Sequence, residues 1–68
     1  MRVGSRVKIV NPGKLITLRS PYGTIVSDDT AGYYVIEMDE FVIIQQLGFS
    51  YEVKNLVQHE NELVQVES

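Results

Sequence analysis

Apolar and polar residues alternate along most of the chain, and the alternating stretches are cut by glycine, proline and clusters of turn formers. Ser5 to Val10, Gly23 to Ser27, Tyr33 to Glu40, Ser50 to Val57 and Leu63 to Val66 each read as a short strand. In the first, Val7 and Ile9 point to one face and Arg6 and Lys8 to the other. Asn11-Pro12-Gly13 ends it, because proline fixes φ and donates no hydrogen bond. Residues 11–22 then read as a long loop whose Leu15, Ile16 and Leu18 are expected to fold back over one end of a barrel. Asp28-Asp29-Thr30-Ala31-Gly32 reads as a turn.

Further on, Tyr34, Ile36 and Met38 take the inward positions and Glu37 and Asp39 the outward ones. Phe41-Val42-Ile43-Ile44 breaks the alternation: four consecutive apolar residues leave two large side chains on the wrong face of any strand. That excess calls for a cover, supplied by the 11–22 loop, by the Leu47-Gly48-Phe49 turn or by a second subunit. Gly48 marks a hairpin, and His59-Glu60-Asn61-Glu62 is a polar turn of helical or 3-10 type, anchored by Leu56 and Leu63. The chain has no internal repeat and no linker, and only Met1, Glu67 and Ser68 look dispensable. The expected architecture is all-β: one domain over residues 1–68, a small barrel of about five or six short antiparallel strands with that turn before the last.

Length sharpens the expectation of a cover. A 68-residue chain buries only about 60% of the surface its unfolded form exposes, so small folds of this kind lean on a disulfide, a metal or a partner subunit. With no cysteine, a disulfide or thiolate metal site is excluded, which fits a reducing compartment. Oligomerisation through Phe41, Val42, Ile43 and Ile44 is therefore expected, with a dimer or tetramer as its product. No apolar run has the length of a membrane span and the N-terminus lacks a signal-peptide pattern, so a cytoplasmic location is expected.

Charge is segregated along the chain. The net charge is −3, yet Arg2, Arg6, Lys8, Lys14 and Arg19 all fall in the first 19 residues, and every acid lies at or after Asp28, beside only Lys54. Either folding interleaves the strands, so that Arg6 and Lys8 face Glu37, Glu52 or Glu62 across a sheet, or a basic face remains free to steer an acidic partner.

Gly4-Ser5-Arg6-Val7-Lys8-Ile9, a long loop, Gly23-Thr24-Ile25-Val26, Tyr34-Val35-Ile36 and a turn into Glu62-Leu63 together resemble the SH3-like small barrels. In length and opening the chain is similar to the SH3-like small protein of photosystem I, the variable chain of ferredoxin-thioredoxin reductase and the KOW-type domains. The first loop holds Leu15-Ile16-Thr17-Leu18 in place of the Tyr-Trp pair of the photosystem I protein, and it is longer than a KOW loop. Val42-Ile43-Ile44-Gln45-Gln46 does not reproduce the active-site strand of the SH3-like type II dihydrofolate reductases, so that activity is not carried over. The resemblance implies that peptides or bases stack in a groove between the first loop and the loop after the second strand, which Tyr22 and Tyr33 border.

Three readings of function follow. The first is a non-enzymatic protein-interaction module, a homo-oligomer, that presents Arg6, Lys8, Lys14, Arg19, Tyr22 and Tyr33 to an acidic protein partner. The second is a KOW-like nucleic-acid binder using the same cations and aromatic rings, which a pI of about 4.9 disfavours. The third is a small-molecule or enzymatic site at the central pore of an oligomer, near Phe41 to Gln46. No catalytic residue, metal ligand or cofactor is assigned. His59, Glu60 and Glu62 diverge from a turn with no second histidine, Asp28-Asp29 lacks the calcium-loop spacing, and Glu37, Asp39 and Glu40 form no paired carboxylates.

Overall fold

The computed structural model describes residues 2–28 and 31–66. Asp29 and Thr30 of the expected turn, and Met1, Glu67 and Ser68 at the ends, lie outside the described residues. Six strands form one antiparallel sheet: β1 (Arg6–Ile9), β2 (Ile16–Leu18), β3 (Tyr22–Asp28), β4 (Tyr33–Gln46), β5 (Phe49–His59) and β6 (Leu63–Gln65). A 3-10 turn over Glu60–Glu62 leads into β6. The main path runs β6-β1-β3-β4-β5, with β2 beside the distal half of β4. Among the described residues no ladder joins β5 to β6, so the sheet is not closed into a barrel by hydrogen bonds.

Alternation places the core as expected. Val7, Ile9, Ile25, Tyr34, Ile36, Met38, Val42, Leu56 and Leu63 are buried together. Cross-strand neighbours share a face, so the register Ile25–Ile36–Leu56 lays three of them in one row across β3, β4 and β5. Gln58 is buried too, opposite Tyr34, and no buried side-chain nitrogen or oxygen among the described residues is left without a hydrogen-bond partner.

The apolar run does not end β4 but extends it to 14 residues. A straight strand of that length would span about 43 Å, and the longest dimension of the molecule is 35 Å. The strand is therefore curved, and its register shows where. Glu37 pairs with Asn55 and Val42 with Val53, so residues 38–41 stand against Lys54 alone. Such a bulge bends a ribbon and turns the distal half of β4 back toward the core, where Val42 is fully buried. Val26 is a second extra residue, between the Ile25–Ile36 and Ser27–Val35 pairs, and it faces solvent.

The expected long loop contains a strand. Ile16, Thr17 and Leu18 pair with Ile44, Ile43 and Val42. Ile16 and Leu18 lie level with inward-facing β4 residues and pack on the core with Ile44 and Val53. The 11–22 segment thus supplies part of the cover that the apolar run calls for, and it does so as a strand beside β4. The Leu47-Gly48 turn supplies none, since Leu47 is 93% exposed.

Candidate interaction site

The outer face of β1 carries Arg6 and Lys8, while Lys14 and Arg19 flank β2, so the cations do not act as one group. Arg6 lies level with Thr24, and Thr24 with Glu37. Its guanidinium reaches along that face to Asp39, with Nη1 donating to Oδ1 at 2.7 Å and Nη2 to Oδ2 at 2.6 Å, and Nη1 also donates to Thr24 Oγ1 at 3.0 Å. This two-pronged hydrogen bonding, with a smaller direct charge attraction, holds the Asp39 carboxyl below the usual carboxylate range and pushes Arg6 upward. The partner of Arg6 is thus Asp39, on the far side of β3, and not the Glu37, Glu52 or Glu62 of the interleaving expectation.

Lys8 is placed differently. It lies between Tyr22 on β3 and Val64 on β6, all three exposed, and the acid that the β3–β4 register sets beyond Tyr22 in that row, Asp39, is held by Arg6. Arg19 is exposed between β2 and β3, three residues before Tyr22 in the chain. Lys14 sits at the other end of β2, next to Leu15, whose carbonyl accepts from the Gln45 N–H at 2.8 Å. It belongs to the distal end of the β4–β5 hairpin. Among the described residues, Lys8, Lys14 and Arg19 make no ion pair.

Tyr22 and Tyr33 are not brought together. Tyr22 opens β3 at the end near the bulge, while Tyr33 opens β4 at the opposite end, about 20 Å away along the strands. Tyr33 instead meets the His59 ring edge-on, with centroids 5.0 Å apart. His59 caps the 3-10 turn, its Nδ1 accepting from the Asn61 N–H at 3.2 Å, so its ring has a structural task on both sides. Among the described residues no three His, Asp or Glu side chains converge as metal ligands would. None of the helices there could span a bilayer, the 3-10 turn being three residues long.

The expected oligomer strand divides by parity. Val42 is buried and Ile44 packs on the core, whereas Phe41 and Ile43 face outward. Ile43 is flanked by Thr17 and Glu52 and is half-buried. Phe41 is 48% exposed beneath the Lys54 ammonium, which stands 5.0 Å from the ring centre and donates to the Asp39 carbonyl at 3.1 Å. Because β2 and β5 pair with both sides of this part of β4, its backbone has no open edge. Any contact through Phe41 to Ile44 has to use the outer face.

Sequence reading passed over the hairpin tip. Leu15, Leu47 and Phe49 are all exposed there, around a hollow of about 440 Å³. A signal was present: Phe41 to Tyr51 contains no charged residue. Compared with known protein families, with curated proteins and with solved structures, the chain matches none.

Proposed function

We propose that the protein is a non-enzymatic interaction module with an SH3-like meander, which takes an acidic segment of a protein partner on its β1–β3 face. The order β6-β1-β3-β4-β5, with a 3-10 turn before the last strand, supports the small-barrel reading. The observation that carries the functional reading is the Tyr22–Lys8–Val64 row, a cation that makes no ion pair among the described residues, set between an exposed aromatic and an exposed aliphatic side chain. A carboxylate gains most from a cation where neighbouring apolar surface excludes water, and the exposed Arg19, in the connection that leads into Tyr22, is the second cation this reading uses. Arg6 takes no part, being held by Asp39. The groove bordered by two tyrosines reduces to Tyr22.

The test is binding of a labelled peptide of alternating aspartate and leucine, followed by fluorescence anisotropy at rising salt. Binding should weaken with salt and be lost in Lys8→Glu and Arg19→Glu, while the melting temperature stays within a few degrees of the parent. Tighter binding of single-stranded RNA than of the peptide at physiological salt would replace this reading with the nucleic-acid one. Peptide binding that is indifferent to both charge reversals would remove the β1–β3 face as the site.

A further inference from the structure

The β4–β5 hairpin closes with a two-residue turn in which Leu47 has φ of 50° and Gly48 φ of 81°. Both values are positive, as the right-handed twist of the flanking strands demands. Asparagine, aspartate or glycine ordinarily fills the first of these positions, because a larger side chain crowds the following carbonyl in left-handed backbone. Leucine bears that crowding here and gains nothing from its own fold, since it is 93% exposed. Strain kept at an exposed tip points to a contact outside the chain.

The surroundings define the contact. Leu15 is 59% exposed and Phe49 75%. Gln45, Gln46 and Ser50 rim the hollow of about 440 Å³ with uncharged polar groups. One patch thus holds a convex feature, Leu47, and a concave one beside it. An isologous contact requires that combination, because across a two-fold axis the same patch must supply both knob and hole. Copies of a chain with net charge −3 repel one another, and the tip is where two of them can meet without opposing acids, since Phe41 to Tyr51 carries no charge and the charged neighbour of Leu15 is Lys14. The three apolar side chains Leu15, Leu47 and Phe49 offer roughly 400 Å² per copy, the size of a weak, transient interface.

We propose that the hairpin tip is a self-association surface, with Leu47 of each copy seated in the hollow of the other. This goes beyond the acidic-partner reading and puts self-association at the tip instead of along Phe41 to Ile44. The area is that of a reversible dimer, formed at high micromolar concentration and distinct from the Lys8–Tyr22 face.

Sedimentation velocity over a range of concentrations is the test, made on the parent and on Leu47→Asn. Asparagine suits the turn, so the variant should melt at or above the parent temperature while its dimerisation moves to at least about tenfold higher concentration. The chain has no cysteine, so single replacements give a second readout. Ser50→Cys should form a disulfide-linked dimer under mild oxidation, and Ser27→Cys, on β3, should not. A parent that stays monomeric into the millimolar range, a Leu47→Asn variant that dimerises like the parent, or equal crosslinking at both cysteines would each overturn the proposal. So would binding of the monomer to phosphatidylcholine vesicles in place of dimerisation. If the acidic peptide still binds while self-association fails, only this inference falls; if dimers form and the peptide does not bind, only the module reading does.

Discussion

Gly23→Ala tests the packing where β1, β3 and β4 cross the centre of the sheet. Gly23 lies level with Val7 and Met38, two core residues, so a side chain added there points inward. Its Cβ would come within 2.6 Å of Ile36 Cγ2, 2.8 Å of the Glu37 carbonyl oxygen and 3.1 Å of Met38 Sδ. The sulfur can swing aside, but the Glu37 oxygen is backbone held in the central strand. Overpacking of this kind costs about 3 kcal/mol, the top of the usual range, because a ladder and not a rotamer has to move. A domain of this size has a total stability of roughly 3–10 kcal/mol, so the variant should be close to unfolded or destabilised by a large fraction. With a urea m-value of about 1 kcal/mol/M, the midpoint should fall by about 3 M. The control is Gly13→Ala, which meets nothing within 4 Å but carries φ of +97°, and should lose only about 1 kcal/mol through the backbone. Equal, small losses at both glycines would refute the close approach of β3 and β4 at Gly23.

Further outcomes follow from the same contacts. Arg6 holds the Asp39 carboxyl below its ordinary value, so this pair stabilises the fold above the unfolded carboxylate pKa of about 3.9, and its contribution fades as pH falls through the lower folded value. Asp39→Asn should therefore show a shallower loss of stability on acidification below pH ~4 than the parent in thermal melts, and a steeper one would reverse the assignment. His59→Ala removes the cap on the 3-10 turn and the ring contact with Tyr33, and should cost about 1–2 kcal/mol in urea unfolding, with His59→Asn recovering the capping share. Ile44→Lys should unfold the protein because Ile44 packs on the core, whereas Ile43→Lys, on the outer face, should cost less than about 1 kcal/mol. Equal losses at Ile43 and Ile44 would show that the inward and outward assignment of β4 is wrong.

Much of the fold was legible because period-two alternation survives wherever one face of a strand meets water. Val7, Ile9, Tyr34, Ile36 and Met38 were placed inward on that ground, and all are buried. The turn before β6 was equally local, resting on a polar tetrapeptide between two leucines that are both buried. The strand within the first loop was not legible: Ile16-Thr17-Leu18 is too short to show a period, and its strand character comes from pairing with Val42 to Ile44. The apolar run was legible in part: alternation alone puts two of its four residues outward, but their partial cover by Thr17, Glu52 and Lys54 depends on residues not adjacent in sequence.

The candidate site divides along the same line. Charge segregation put the cations in the first third of the chain, and composition alone established that Phe41 to Tyr51 carries no charge. Tertiary structure decided which cations stay free: the register across β3 brings Asp39 within reach of Arg6 and leaves Lys8 between Tyr22 and Val64. It also parted Tyr22 from Tyr33 and carried Leu47 to an exposed tip. The sequence by itself determined which residues could be buried, because burial is written in local alternation and in the cost of hiding charge. Which outward side chains meet one another depends on register, bulges and twist. Those are set by the packing of the whole sheet, and no short stretch of residues contains them.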